Sequence, residues 1–288
     1  MIQARNKLSQ EELYEAKKLI NCCQNYDCTY RDPYLSNMLN FDPNMPAFFL
    51  YYEKGELVGL LTVYADDQDV EMTILVQPNH RRQGIARALY RSFEKETASY
   101  PIESVTFQTE RVFLDRHPDF VSNWGLVEDE DTETWLGKDR RPYPLANVSN
   151  LEVLLADSSY QDQISQLKFQ AFSEEHESRE VVDRYVAEAL KDLESCLYIL
   201  LKDSQVIGTC TVDLSSDTNY FYGLAISEPE RGKGYGSYLA KFLVNQLIEQ
   251  NDKEFQIAVE DSNVGAKRLY EKIGFVKQTQ VVYLKAKV

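Results

Sequence analysis

The sequence predicts an α+β protein made of two tandem copies of one domain, each a mixed, mainly antiparallel sheet flanked by helices. First, the pattern R-x-x-G-x-[GA] begins at Arg81 and begins again 150 residues later, at Arg231. Second, the segments on either side of this pattern also match, in the same order and at nearly the same offset. Third, the strands of each copy are grouped in hairpins and do not alternate one by one with helices, which favours an α+β layout over a βαβ chain.

The repeat runs through most of the chain. FFLYYEKGELVGLLTVY at 48–64 matches LYILLKDSQVIGTCTVDL at 197–214, and WGLVEDEDTETWL at 124–136 matches IGFVKQTQVVYL at 273–284. Ordered self-similarity of this kind indicates a duplicated structural unit. The polar segment at 140–150 contains two prolines and predicts a linker. We therefore expect an N-terminal domain at 1–146 and a C-terminal domain at 147–288.

Each copy has the same predicted order of elements. A short strand is followed by an amphipathic helix, whose apolar residues recur at three-to-four spacing. A hairpin with a polar turn comes next, then a strand that runs into the glycine turn, a long helix and a β-rich end. The second copy has an additional helix at 180–193. The other predicted ranges are 2–5, 10–22, 84–99 and 105–108 in the first copy, and 152–155, 161–172, 234–250 and 255–259 in the second.

Composition and charge exclude several classes of protein. The formal net charge is −15, from 31 basic and 46 acidic residues, and this charge would repel a phosphate backbone, so we expect no nucleic-acid partner. No apolar run approaches the ~20 residues of a membrane span, and the N-terminus lacks the apolar core of a signal peptide. The five cysteines form no C-x-x-C motif and the three histidines are far apart. These features predict a cytoplasmic protein without a membrane partner, a disulfide framework or a metal site.

The glycine turns predict an anion site. Each lies between a strand and a helix, where glycine permits a positive φ and lets a ligand approach the backbone closely. Free N–H groups and the positive end of the helix dipole favour a phosphate there. The P-loop pattern is absent, and Gly232-x-Gly234-x-x-Ser237 is a poor match to a dinucleotide-binding turn. A phosphorylated ligand of another kind is therefore expected.

These motifs resemble the GCN5-related N-acetyltransferase (GNAT) family. The glycine turn follows a strand ending near a proline in both copies, and the second copy adds VEDSNVGAKRLYEKIGF at 259–275, similar to the family pattern N-x-x-A-x-x-L-Y-x-x-x-G-F. The resemblance covers essentially the whole chain and is similar to the tandem, two-domain form of the family. It implies acetyl-CoA as a co-substrate, no metal, and transfer of an acetyl group to an amine.

The resemblance also implies roles for residues of the second copy. The strand edge would pair with the pantetheine arm, and a backbone N–H there would polarise the thioester carbonyl. Asn263 matches a cofactor-contacting residue, and Tyr270 matches the acid that protonates the departing thiolate. Helical spacing independently places Asn263, Lys267 and Tyr270 on one helix face. The implied cofactor-binding set in this copy is Leu224, Ala225, Ile226, Arg231, Gly232, Lys233, Gly234, Tyr235, Gly236, Ser237 and Asn263.

The first copy departs from the family pattern. Pro118 would interrupt the last helix, and Val121 stands where the second copy has Tyr270. We expect this copy to keep a phosphate turn without the thiolate acid, so that it binds CoA non-productively, shapes the acceptor site or only supports the fold. Its candidate cofactor-binding residues are Arg81, Arg82, Gln83, Gly84 and Ala86.

The resemblance implies that the acceptor is a small-molecule or peptide amine. Direct transfer to an amine requires a group that takes the proton of the nitrogen. Glu175 is the candidate base, within the acidic run that also contains Glu174 and His176. Tyr220, Tyr222 and Asp213 are alternative groups lining the acceptor site. Two other readings stay open: an acyl-CoA-binding regulatory module without turnover, and transfer to oxygen or of a longer acyl chain.

Overall fold

The computed structural model describes residues 1–146, 148–172 and 178–286. The chain forms two compact units, the first made of Met1–Glu133 and Thr279–Val288 and the second of Thr134–Gln278. These limits fall inside the last strand of each repeat, and they therefore differ from the expected boundary after residue 146. No helix in the described part of the chain is long and apolar enough to cross a membrane.

The elements follow the predicted order. The strands are β1 (Ile2–Arg5), β2 (Phe48–Glu53), β3 (Glu56–Tyr64), β4 (Asp69–Val76), β5 (Ser104–Glu110), β6 (Leu126–Lys138), β7 (Leu151–Leu155), β8 (Ser195–Lys202), β9 (Gln205–Asp213), β10 (Thr218–Ile226), β11 (Glu254–Glu260) and β12 (Val276–Ala286). The α-helices are α1 (Gln10–Asp27), α2 (Ile85–Glu96), α3 (Arg111–Arg116), α4 (Phe120–Trp124), α5 (Gln161–Phe172), α6 (Arg179–Ala189), α7 (Tyr235–Gln250) and α8 (Val264–Lys272).

The first unit is a mixed sheet with the strand order β1-β2-β3-β4-β5-β12-β6. Strands β1 to β4 pair antiparallel, while β4 and β5 pair in parallel. Helix α2 packs on this sheet through buried Ile85, Leu89 and Phe93, which share one core cluster with Phe49 and Met72. A connection between parallel strands needs a crossover, and α2 provides it.

The second unit repeats this plan with the order β6-β11-β10-β9-β8-β7. Strands β7 to β10 pair antiparallel, and β10 pairs in parallel with β11. Helix α7 supplies the crossover and buries Leu239, Leu243 and Leu247 against the sheet. A separate cluster joins Ile164 of α5 and Val186 of α6 to Leu197 and Ile199 of β8. Each sheet is thus covered by helices and is mainly antiparallel.

The C-terminal strand contributes to the core of the first unit. Residues 281–285 of β12 pair antiparallel with 106–110 of β5. Val282 and Leu284 are fully buried and share a cluster with Leu114 and Leu126. Residues from the far end of the chain therefore complete a unit that begins at Met1.

Helix α1 is longer than predicted, while the last helix of the first unit is broken where Pro118 predicts a break. Helix α1 extends beyond the predicted residue 22, to Asp27, and is capped at its start by a capping box between Ser9 and Glu12. In the first unit the last helix is interrupted as expected, since α3 and α4 are two short helices separated by Pro118. The second unit has the single helix α8 in the corresponding place.

Candidate functional site

Strands β10 and β11 diverge in the second unit. Their parallel pairing runs from Thr218 to Phe221 on β10 and stops there. Within the described residues, 222–226 of β10 form no pairs with β11, so the backbone groups on this edge are open. An open strand edge is the geometry that an extended ligand uses when it adds to a sheet.

A β-bulge lies at the point of divergence. The register of β10 against β9 shifts by one residue between Tyr222 and Ala225, so that Gly223 and Leu224 both stand opposite Cys210. Gly223 has a φ of +59°, which a glycine adopts without steric cost. A bulge leaves one backbone group out of the ladder and re-aims it. Here that group lies at the start of the open edge.

The glycine turn leads from β10 into α7. Gly232 and Gly234 have φ values of +75° and +87°, and a Cβ at either position would meet nothing within 4 Å. Gly234 is the N-cap of α7, and no side chain caps the helix. The first amides of α7 therefore keep free N–H groups at the positive end of the helix dipole. The residues of this turn fit an anionic group that approaches the backbone closely.

Two of the basic side chains around this turn form ion pairs with Glu230. Lys202 and Lys233 each lie 3.1 Å from Glu230. The guanidinium Nε of Arg231 donates to the Ile226 carbonyl at 3.0 Å, which ties the turn to the end of β10. Arg231 is exposed, and no ion pair holds it among the residues that the structure describes.

Gly236 brings the turn, the open strand and α8 together. A Cβ at this position would lie 3.0 Å from Leu269, 3.6 Å from Ile226 and 3.7 Å from Leu224. A small residue is therefore required for the first turn of α7 to pack this closely. The contact puts the predicted phosphate turn beside the open edge of β10 and beside the residue that precedes Tyr270.

Tyr270 and Asn263 take different places on α8. Tyr270 is only 6% exposed and packs in the core of the second unit, with its ring 6.1 Å from that of Phe275. Burial raises the pKa of the Tyr270 hydroxyl, which therefore stays protonated at neutral pH. Asn263 is exposed and acts as the N-cap of α8, its Oδ1 accepting from the Ala266 amide at 3.0 Å. Of the residues expected on one helix face, Asn263 therefore caps α8 and Tyr270 lies in the core.

An amine lies at the bulge. Lys168 extends from α5 so that a Cβ on Gly223 would be 2.9 Å from its Nζ. The Nζ donates to Thr211 Oγ1 at 3.2 Å and lies 5.8 Å from the centre of the Tyr222 ring. Burial lowers the pKa of Lys168 to about 8. Sequence reasoning missed this residue, because a lone lysine on an amphipathic helix resembles an ordinary surface residue.

Both candidate acceptor-lining tyrosines belong to an aromatic row. The rings of Trp135 and Tyr220 stack at 5.2 Å, and those of Tyr220 and Tyr222 at 6.0 Å, with interplanar angles below 20°. Lys168 is at the Tyr222 end of this row. Asp213 accepts from the Ser215 amide at 2.7 Å and so supports the turn after β9. The Tyr222 end of this row lies beside the bulge.

The predicted base and its neighbours, Glu174, Glu175 and His176, lie outside the described residues. Among the residues that are described, no group of three or more His, Cys, Asp or Glu side chains has the arrangement of a metal site.

In the first unit, the described pairing of β4 with β3 contains no bulge. Strand β4 pairs with β3 in one unbroken register from Glu71 to Val76. Its parallel pairing with β5 covers only 69–72, as in the second unit. Along the part of β4 beyond this pairing, Arg31 donates to Thr73 Oγ1 at 3.0 Å. The amides of Tyr30 and Arg31 donate to the buried carboxylate of Glu110 at 2.9–3.0 Å, which fixes this segment of the chain.

The turn of the first unit is tied to α1. Arg81 donates through Nε to the Val76 carbonyl at 2.9 Å, as Arg231 does to Ile226, but its guanidinium also pairs with Asp27. Arg82 has a φ of +60°, Gln83 donates to the Asn79 carbonyl at 3.4 Å, and Gly84 is the N-cap of α2 with a φ of +84°. Ala86, in the first turn of α2, stands where the second copy has Gly236.

Comparison with known proteins identifies the family. The model of the acetyltransferase (GNAT) family matches residues 12–136 and 161–275. Mycothiol acetyltransferase of Clavibacter sepedonicus is 26% identical over 230 residues, covering 76% of this chain and 73% of that protein.

Solved structures share the fold at low sequence identity. A GCN5-related N-acetyltransferase from Sphaerobacter thermophilus has a TM-score of 0.72 at 16% identity, covering 99% of this chain and 94% of that one. A tandem GNAT protein from the clavulanic acid biosynthesis pathway has a TM-score of 0.68 at 16% identity, covering 100% and 99%. The predicted fold class and family resemblance are confirmed. The chain therefore belongs to the acetyltransferase (GNAT) family, as an N-acetyltransferase with two tandem copies of the fold.

Proposed function

We propose that the second unit transfers an acetyl group from acetyl-CoA directly to the amine of a small-molecule or peptide acceptor. The observation that supports this most strongly is the bulge at Gly223 beside an open strand edge and an uncapped helix start. These three features occur together in the second unit, whereas β4 of the first unit has no bulge in its described pairing.

Each feature has a chemical use. The amides at 235–237 would hold the pyrophosphate, because they are free donors at the positive end of α7. The open edge at 224–226 would bind the pantetheine arm, and the amide freed by the bulge would polarise the acyl carbonyl. Acetyl-CoA, when bound, supplies an acyl group activated by a thiol leaving group. Burial keeps Tyr270 protonated, as a donor to that sulfur must be.

We further propose that a chain binds one CoA molecule. In the first unit, Arg81 is neutralised by Asp27, and Arg31 is bonded to the unpaired half of β4. Of the three roles left open for this copy, these contacts favour support of the fold. The name of the Clavibacter relative, mycothiol acetyltransferase, supports acetyl transfer to a small molecule.

Release of free thiol from acetyl-CoA tests the proposal, with polyamines, aminoglycosides, amino acids and peptides as acceptors. We expect turnover with at least one amine class and a calorimetric stoichiometry of one CoA per chain. Tight CoA binding without thiol release from any acceptor would contradict the proposal and would indicate a binding module. Mass analysis of the product distinguishes an amide from an ester and acetyl from a longer acyl group.

A further inference from the structure

Lys168 is placed at the position where the reaction of the second unit would occur. Its Nζ lies 2.9 Å from the Cβ position of Gly223, the residue with which the bulge of β10 begins. Two elements fix this arrangement: α5 packs on β9 and β10, and the bulge turns the backbone of Gly223 toward the lysine. The amine therefore reaches the strand next to the backbone group that the bulge removes from the ladder.

The surroundings of this amine are unusual for a lysine. Its polar contact is the neutral hydroxyl of Thr211, at 3.2 Å, and its other neighbour is the face of the Tyr222 ring. Across the described ranges, no carboxylate lies within ion-pair distance of Nζ. On β9 the titratable neighbour is the buried thiol of Cys210, and on α6 Asp183 is paired with Arg179 at 2.8 Å.

We propose that Lys168 is a catalytic residue whose neutral amine takes the proton of the acceptor nitrogen during acetyl transfer, an inference that rests on the proposed function. The acceptor nitrogen forms a bond to the acyl carbon while the carbon–sulfur bond breaks. One proton of the nitrogen passes to Lys168, and the sulfur receives one proton from Tyr270. Lys168 then loses its proton to solvent and Tyr270 regains one, so that amine and thioester become amide and thiol.

The environment supports this role in electrostatic terms. A lysine acts as a base only when neutral, and its ordinary pKa of about 10.4 leaves little neutral form at physiological pH. Burial lowers the pKa of Lys168 to about 8, so a larger fraction of this amine is neutral at physiological pH. Because the neutral form increases as pH rises, kcat/KM should rise through this pKa.

Competitive labelling of the whole protein tests the placement without requiring turnover. Trace acetic anhydride is applied at a series of pH values, and each lysine is quantified by mass spectrometry, with exposed Lys191 as the reference. We expect half-maximal reactivity of Lys168 near pH 8, and several-fold slower labelling when acetonyl-CoA, a thioether analogue that cannot donate its acyl group, is bound. A midpoint near the ordinary value of about 10.4, or labelling that acetonyl-CoA leaves unchanged, would overturn the proposal.

Substitution tests the proton transfer itself. Lys168→Met and Lys168→Arg should both lower kcat/KM by about 10²-fold or more and abolish its rise near pH 8, with CoA affinity unchanged. Lys191→Met is the matched control and should resemble the wild type. An active Lys168→Arg would overturn the proposal, because a permanent cation cannot take the proton. If the wild type transfers to no acceptor, the proposed function fails, while the labelling result still decides where Lys168 lies.

Discussion

Arg81 and Asp27 form a bidentate ion pair inside the first unit, with Nη1 to Oδ1 at 2.8 Å and Nη2 to Oδ2 at 2.5 Å. Asp27 is only 4% exposed and belongs to the last turn of α1. The same arginine holds the end of β4 through the Val76 carbonyl. The first residue of the glycine turn thus joins a helix and a strand in this unit.

Replacing Arg81 with Ala should therefore destabilise the protein and leave CoA binding unchanged. Removal of one partner leaves a buried carboxylate unpaired, which costs about 3 kcal/mol. Arg231→Ala is the matched control, since Arg231 makes the equivalent backbone contact but is exposed. It should cost less than about 1 kcal/mol and weaken CoA binding. Urea unfolding and calorimetry measure both effects; weaker CoA binding by Arg81→Ala would contradict this division.

Tyr270→Phe should lower kcat by about 10²-fold or more while CoA affinity stays the same. The substitution removes only the hydroxyl from a buried ring, so the core packing is preserved. Tyr198→Phe is the control, because Tyr198 is equally buried, at 6% exposure, in the same cluster. Steady-state kinetics with the identified acceptor decides the matter, and equal losses in the two variants would count against a proton donor at Tyr270.

Gly223→Ala should lower kcat/KM strongly and the free energy of unfolding only modestly. An alanine at a φ of +59° costs about 1–2 kcal/mol, and its Cβ would displace Lys168 from the bulge. Gly274→Ala imposes the same backbone strain at a φ of +87°, with Lys138 at an ordinary 3.9 Å. Turnover and thermal unfolding of the two variants should give similar stabilities and very different activities. Similar activities would argue that the bulge has no catalytic use.

Stability should fall as pH rises from about 5 to 7, because of Glu71. Burial raises the pKa of this carboxyl to about 7. The positive charge of Arg31 lowers the pKa in part, and the negative charge of Glu133 raises it further. Above the unfolded pKa of about 4.3 the unfolded state loses the proton first, so stability is lost until the folded pKa is reached.

Glu71→Gln removes the titrating group and should flatten this dependence, with a gain of about 1–3 kcal/mol at pH 8 and little change at pH 5. Urea midpoints across this pH range measure it. An unchanged slope in the variant would assign the effect to other groups.

Deletion of residues 279–288 should unfold the first unit. Val281, Val282 and Leu284 are fully buried in its core. Each contributes about 1.5–3 kcal/mol, which together matches the stability of a small domain. Limited proteolysis of the truncated chain should cleave within 1–133 first, and a protected first unit would refute the expectation.

The sequence predicted the regular elements well, because their signals are local. The spacing of apolar residues placed α5 at 161–172, as found, and Pro118 marked the broken helix of the first unit. The bulge could have been inferred as well. A glycine within a strand indicates a bulge, and Gly223 directly follows Tyr222, which pairs with Thr211 as Thr73 of the unbulged β4 pairs with Thr62.

The contacts that distinguish the two units were beyond local patterns. Nothing in the residues around Arg81 indicates a partner 54 positions earlier, and nothing around Lys168 indicates a strand 55 positions later. Likewise, the alternation in β12 shows a strand but not the strand with which it pairs, β5. Pairing over long separations is a tertiary property, decided by the packing of whole elements.

The place of residues 279–286 has a consequence for how the protein is made. A ribosome synthesises β5 before β12, and the whole second unit, Thr134–Gln278, lies between most of the first unit and the residues of β12 that pair with β5. Until β12 has been synthesised, the nascent first unit exposes an unpaired strand edge and an incomplete apolar core, both of which favour aggregation. Maturation of the first unit is thereby coupled to synthesis of β12, and a product truncated before β12 would remain a substrate for chaperones.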